Sequence, residues 1–310
     1  RIHHFDNEKM LSLLNAQDLP TSFVPVSKKA PLNIVYIFLE SFSQEYTQLK
    51  DPEVTPFLNS IRKKSVDFKQ AYANGRRSIE GIAALLSGIP ALMEEPFVNS
   101  EFSANQVIGL GTILTAKGYH TSFFHGAQNG SMHFDQFMRS VGVGYYFGKT
   151  EYPEKADDDG TWGIFDEPFL DWTCAKITEF APPFFTSIFT LTSHQPYKIP
   201  QKYADRFRDG RLPILKSIQY TDYALEKFMS CAEKQVWYQN TLFIFTADHT
   251  GPELQVGSSF ESRFQVPLIF FSPNQNLLKN LNPSQFAQHI DVLPTLLETI
   301  ELPLKNKNYL

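Results

Sequence analysis

Glu40, Asp248 and His249 form the set of side chains in this sequence best suited to hold a divalent ion, and Ser78 is the hydroxyl best suited to react beside it. Two carboxylates and an imidazole make a hard-to-borderline ligand set suited to Mn²⁺, Zn²⁺ or Mg²⁺. Asp248-His249 alone is weak, because such a pair also ends a strand as a turn or caps a helix. Glu40 strengthens it by standing at the end of a second apolar run, NIVYIFLE. Ser78 lies in YANGRRSIEGIAALLSGIP (72–90), where a polar knot runs into a helix of small and aliphatic residues. With Glu80 two positions on, Ser78 reads as a helix cap. The same place lies in the positive field of the helix, which favours an anionic phosphate or an alkoxide nucleophile. A coordinated ion lowers a hydroxyl pKa further. Arg76 or Arg77 could grip phosphate oxygens with paired hydrogen bonds, or stay a solvated loop charge; Arg77, nearer Ser78, is the preferred contact.

His194 follows another apolar run in LTSHQPY, and Pro196 stops a helix there. It is a candidate for phosphate binding or proton transfer. FFHGAQNGSMHFDQF (123–137) adds His125, Asn129, His133 and Asp135 on a glycine-bearing loop, and DDDGTWGIFDEPF (157–169) adds Trp162 beside an acidic turn. These are expected pocket walls, although a lone histidine is more often structural and adjacent aspartates usually face solvent.

Four apolar runs must position this chemistry: 33–40, 184–193, 240–248 and 266–273. They are continuous rather than alternating, as strands covered on both faces are. Helix-like stretches at 55–65, 78–88, 109–118, 214–234 and 289–299 lie between them, so the pattern predicts a doubly wound α/β domain with a mostly parallel sheet and helices on both faces. Functional groups in such sheets gather beyond the carboxyl ends of the strands. Glu40, Thr192-Ser193-His194 and Asp248-His249 each fall at such an end. Residues 1–30, punctuated by Pro20 and Pro25, read as an N-terminal arm or linker, and 31–310 as one catalytic domain.

Composition agrees with one large core: 310 residues, 42% hydrophobic and 14% aromatic. A formal charge of −5 without a Lys/Arg run argues against nucleic acid as a partner. Cys174 and Cys231 define neither a zinc knuckle nor a disulfide framework; two buried thiols are expected, with one bridge as the alternative. No run is long enough to span a bilayer. The chain starts at Arg1 rather than Met, so a fragment or a processed product is expected.

With Glu40, Ser78, His194 and Asp248-His249 in this order, the chain resembles the alkaline phosphatase/sulfatase superfamily. Within it, the chain is most similar to lipoteichoic acid synthase-like phosphoglycerol transferases and related phosphoethanolamine transferases. NIVYIFLESFSQEYT, TPFLNSI, GRRSIEGI, TLTSHQPY, YTDYALEKF, TADHTG, VPLIFFSP and HIDVLPTLLE carry the resemblance in order over residues 32–300. It implies that Glu40, Asp248 and His249 bind one divalent metal ion, and that Ser78 stands where the family usually has a metal-contacting nucleophilic threonine. His194 would contact the phosphate. The implied reaction is a double displacement: Ser78 attacks a phospholipid headgroup donor, and a glycan or lipid acceptor resolves the phospho-serine. SMHFD (131–135) departs from the Trp and Arg that Gram-positive members use for glycerol phosphate. The family implies membrane helices ahead of the domain, hence a monomeric domain on the extracytoplasmic face of the bacterial inner membrane.

A formylglycine sulfatase is disfavoured, because Ser78 is followed by Ile79-Glu80-Gly81 rather than x-P-x-R. A hydrolase of the same fold is the alternative; a two-metal form would need further ligands such as His289 and Asp291, which read better as a helix start with an acidic cap. A binding or sensor domain without catalysis is the other alternative.

Overall fold

The computed structural model describes residues 31–105, 107–254 and 259–302. The expected arm at 1–30 lies outside them. A seven-stranded sheet runs in the order β2-β8-β7-β1-β6-β4-β5. Its strands are β1 (Asn33–Leu39), β2 (Val66–Asp67), β4 (His120–His125), β5 (Tyr145–Phe147), β6 (Phe184–Phe189), β7 (Thr241–Ala247) and β8 (Leu268–Phe271). The five strands from β7 to β5 pair in parallel, whereas β8 runs antiparallel to both of its neighbours. A small parallel pair joins β3 (Gln70–Tyr72) to β9 (Phe286–Gln288).

The continuous apolar strands are explained by two cores, one on each side of the sheet. In β1, Val35, Ile37 and Leu39 enter one core while Ile34, Tyr36 and Phe38 enter the other. Successive side chains of a strand point to opposite faces, so a strand with no polar alternation needs cover on both. Helices α1 (Pro56–Arg62), α5 (Asp166–Ile177) and α6 (Ile214–Ala232) cover the first face through Leu58, Leu170 and Ile218. Helices α2 (Ser78–Ser87), α3 (Leu110–Thr115), α4 (Phe134–Ser140) and α7 (His289–Thr299) cover the second through Leu85, Leu114, Phe137 and Leu296.

Two expectations change. Cys174 of α5 and Cys231 of α6 are joined in a disulfide, not two thiols, across 57 residues of chain. Closing a loop of that length constrains the unfolded chain by about 4 kcal/mol in the chain-entropy picture. The glycine-bearing loop expected over 123–137 is bounded by regular elements, since β4 ends within it at His125 and α4 starts within it at Phe134.

Candidate active site

The sheet order puts β7, β1 and β6 side by side, so the three ends carrying chemistry are neighbours. Register aligns Leu39 with Ala247, which sets Glu40 beside Asp248; the Asp248 amide donates to the Leu39 carbonyl at 3.3 Å. Glu40, Asp248 and His249 each offer a ligand atom, and these atoms lie within 4.8 Å of one another. His249 Nε2 is 3.2 Å from Asp248 Oδ2 and 3.6 Å from Glu40 Oε1. His249 Nδ1 donates to the Thr250 carbonyl at 2.8 Å, which fixes the tautomer and leaves Nε2 as the ligand nitrogen.

This donor set fits a cation on an observation independent of any family. Asp248 Oδ1 accepts from the amides of Ser41 (2.9 Å) and His249 (2.8 Å), while the buried Oδ2 receives no hydrogen bond among the described residues. An unsatisfied buried carboxylate oxygen is costly unless something positive completes it. Burial, followed by the charge of Glu40, pushes Asp248 up to about 7. Burial alone would lower His249, but Asp248 and Glu40 outweigh it and raise it above its ordinary value. A divalent ion among these groups relieves the carboxylate repulsion.

Ser78 joins the group from α2. Its Oγ donates to Glu40 Oε2 at 3.1 Å and lies 3.3 Å from His249 Nε2. It does not cap the helix, as the sequence suggested: Arg77 occupies the cap position and Ser78 is the first helical residue. The capping is done by Glu80, whose Oε2 accepts from the amides of Arg76 (2.7 Å) and Arg77 (3.1 Å), leaving the Ser78 hydroxyl free for the site. Gly75 lets the chain pass over Glu80, where an added Cβ would collide with the Glu80 side chain. Gly81 lets α2 approach β7, since a Cβ there would collide with the Asp248 carbonyl. Ile82, Leu85 and Leu86 are fully buried and hold the helix against the sheet.

Arg77, the preferred phosphate contact, is engaged elsewhere. Its Nε and Nη2 donate to Glu80 Oε1 at 2.9 and 2.5 Å, and Nη2 reaches the Glu94 carbonyl at 3.3 Å. Burial would raise Glu80, but Arg77 and the two amides hold it below its ordinary value. Arg76 has no carboxylate partner among the described residues; its guanidinium lies 5.9 Å from the Phe264 ring centroid.

The β6 end is organised by a turn over 190–194. Thr190 Oγ1 accepts from the Glu40 amide at 3.0 Å and Ser193 Oγ donates to the Glu40 carbonyl at 2.6 Å. Asp166, buried, anchors this turn by accepting from the Leu191 amide (2.7 Å) and the Thr192 amide (3.2 Å to each of its oxygens). The Thr221 hydroxyl adds a bond of 2.6 Å. Half-buried His194 closes the turn, its Nδ1 donating to the Gln195 carbonyl at 3.0 Å. The Trp162 ring lies against it, centroids 4.1 Å apart, with its indole N–H on the same Gln195 carbonyl at 2.7 Å.

The other expected pocket residues are dispersed. His125 ends β4 next to Phe189 of β6 but is fully buried, both ring nitrogens lacking a partner, and burial drives it down to about 3. Asn129 is bonded to Glu151 (3.0 and 3.2 Å) and to the Thr150 amide (3.2 Å), pinning one loop to another. His133 is exposed before α4 at φ 56°, and Asp135 pairs with Arg139 at 3.1 Å. Neither has a described contact with the Glu–Asp–His group. His289 and Asp291 act as the expected helix start: Asp291 accepts from the Gln288 amide at 2.7 Å and His289 is buried at the head of α7. Ser41, Thr190 and Asp166 were not singled out from sequence. The one available signal was the density of Ser and Thr just past the strand ends.

A central parallel sheet that presents two carboxylates, an imidazole and a helix-start hydroxyl at one edge defines an α/β protein built on the alkaline phosphatase plan. The chain belongs to the Sulfatase family, whose model matches residues 32–302. It is 26% identical to the lipoteichoic acid synthase-like YvgJ of Bacillus subtilis, over 71% of this chain and 37% of that protein. It is 28% identical to phosphoglycerol transferase I of Citrobacter koseri, over 75% of this chain and 33% of that protein. The chain thus spans about a third of the length of these curated relatives. A crystal structure of a Vibrio parahaemolyticus protein in the alkaline phosphatase superfamily superposes with a TM-score of 0.82 at 26% identity, covering 96% of this chain and 76% of that one.

Proposed function

We propose that this domain transfers a phospho-headgroup, phosphoglycerol or a close analogue, from a phospholipid donor to a glycan or lipid acceptor through a covalent intermediate on Ser78. The observation that carries the proposal is the Ser78 hydroxyl at the head of α2, between Glu40 Oε2 at 3.1 Å and His249 Nε2 at 3.3 Å. The names of the relatives, lipoteichoic acid synthase-like and phosphoglycerol transferase, support the choice of headgroup.

Glu40, Asp248 and His249 would hold one divalent ion, Mn²⁺ in preference to Zn²⁺ or Mg²⁺, which supplies charge stabilisation and a lowered hydroxyl pKa. Ser78 Oγ forms the bond to phosphorus as its proton leaves toward Glu40 Oε2. The bond from phosphorus to the lipid alcohol breaks, and that alcohol takes a proton. His194 is the proposed donor through Nε2, since its Nδ1 is occupied by the Gln195 carbonyl. In the second half an acceptor hydroxyl passes its proton to His194 Nε2 and attacks phosphorus, and the displaced Ser78 Oγ takes back the proton held at Glu40 Oε2. Arg76, without a carboxylate partner among the described residues, replaces Arg77 as the proposed phosphate arginine.

The Cys174–Cys231 disulfide supports placing the domain outside the cytoplasm, where such bonds persist. No described helix is long and apolar enough to cross a membrane. Incubation with labelled phosphatidylglycerol or phosphatidylethanolamine, with and without a glycan acceptor, tests the reaction. The expected result is acceptor-dependent transfer, with a phosphate adduct on Ser78 seen by mass spectrometry when acceptor is withheld. Headgroup release to water at a rate unchanged by acceptor would favour the hydrolase, and unaltered turnover by Ser78→Ala would remove the nucleophile assignment.

A further inference from the structure

Ser41 follows Glu40 directly and touches both carboxylates of the metal-type group. Its hydroxyl donates to Glu40 Oε1 at 2.6 Å, and its amide donates to Asp248 Oδ1 at 2.9 Å. The Asp248 carboxylate is thereby oriented so that Oδ1 is saturated and Oδ2 is left without a donor. To make both contacts Ser41 adopts φ 59°, in the left-handed region that residues with a Cβ rarely occupy. Such backbone persists only where the surroundings over-determine it. Glycine would adopt this φ without strain. The turn therefore explains the conformation but not the serine, whereas the hydroxyl bond to Glu40 explains it.

We propose that Ser41 is a positioning residue of the metal centre, whose hydroxyl and amide aim Glu40 and Asp248 at one ion. This rests on the metal-dependent reading above. Partners that orient ligands from behind typically change metal affinity by about 10–100-fold when removed. The test is titration of the chelator-treated protein with Mn²⁺ alone, with thermal unfolding of the metal-free form in parallel. Ser41→Gly keeps the amide, removes the hydroxyl and relieves the strain. It is expected to weaken Mn²⁺ binding about 10–100-fold while the metal-free Tm holds or rises. Ser41→Cys keeps the volume with only a weak donor and is expected to lose affinity in the same range. Parental affinity in either variant overturns the proposal. Asp248→Asn separates the two readings: if it loses affinity while Ser41→Gly does not, only the role of Ser41 falls. If the parent itself binds no Mn²⁺, Zn²⁺ or Mg²⁺, both fall.

Discussion

The two halves of the strand-end edge are built differently. On the β1–β7 side, Glu40, Ser78, Asp248 and His249 are buried or nearly so, and each is held by hydrogen bonds of 2.6–3.3 Å from the backbone or a neighbouring side chain. On the β4–β6 side, His194 and Trp162 lean on one another at the rim, His125 is sealed beneath, and Asn129 and His133 serve or occupy loops. Reaction geometry tolerates little misplacement, so it is built on strand ends and a helix start. Under the proposed function, recognition of a headgroup could be adjusted on loops without disturbing the sheet. The turn at 190–194 joins the two sides, because the segment that clamps the Glu40 backbone also carries His194.

The sharpest way to break this comparison is to change one residue on each side. Asp248→Asn removes a ligand oxygen at nearly constant volume and is predicted to lower transfer by on the order of 10²–10³-fold and to weaken Mn²⁺ binding in the same direction. Because burial and the Glu40 charge already disfavour the Asp248 carboxylate, the metal-free protein is predicted to hold or gain thermal stability. Asn129→Ala on the other side is predicted to leave metal binding unchanged and turnover within about twofold, as its amide serves Glu151 and Thr150. Equal losses from both substitutions would erase the distinction.

A second comparison sets the site against the frame. Reducing Cys174–Cys231, or replacing both with Ala, is predicted to remove about 4 kcal/mol of stability. Mn²⁺ affinity of the folded protein should stay unchanged, because the bridge ties α5 to α6 and no described contact links it to Glu40, Asp248 or His249. A coupled loss of affinity in the folded state would mean that the α5–α6 layer also positions the ligands.

The legibility of the sequence followed the same division. Residues at ends of continuous apolar strands could be located because strand type, strand end and ligand chemistry agree at Glu40 and Asp248-His249. Ser78 was legible as a helix start, but its capping role was not: nothing local reveals that Glu80 turns back onto the amides of Arg76 and Arg77. The same carboxylate engages the Arg77 guanidinium through Oε1, which reverses the choice between the arginines. The disulfide was illegible because its partners are 57 residues apart in helices whose packing no local pattern gives. Strands β4 and β5 were not legible, since HTSFFH and YYF are short runs beside chain rich in Gly, Asn and Asp. Ser41 was hidden for a different reason: its significance lies in a backbone angle and in an amide donating across strands.

On the rim, Trp162→Ala is predicted to raise KM for the donor about tenfold while metal affinity stays constant. The substitution removes the ring that packs on His194 at 4.1 Å and the indole bond that fixes the Gln195 carbonyl. An unchanged KM with a large fall in kcat would indicate that this pair acts in the reaction rather than in recognition.

The smallest effect concerns His125, and its sign follows from burial. Its folded pKa is driven to about 3 against 6.5 for the free side chain, first by burial and then by the His194 charge. Between those values the unfolded chain binds a proton that the folded chain refuses, so stability contributed by neutral His125 is present above about pH 6.5 and falls as pH drops. The expected loss is about 1 kcal/mol between pH 7 and pH 5.5. Asp248 and Asp222 are both raised to about 7 and act in the opposite sense, so the readout is the difference between parent and His125→Phe. The variant should show the shallower loss on acidification in denaturant titrations at the two pH values. Identical slopes would mean that the His125 nitrogens reach water or a polar partner. A steeper loss in the parent means a neutral imidazole sealed behind Phe134 and Phe189.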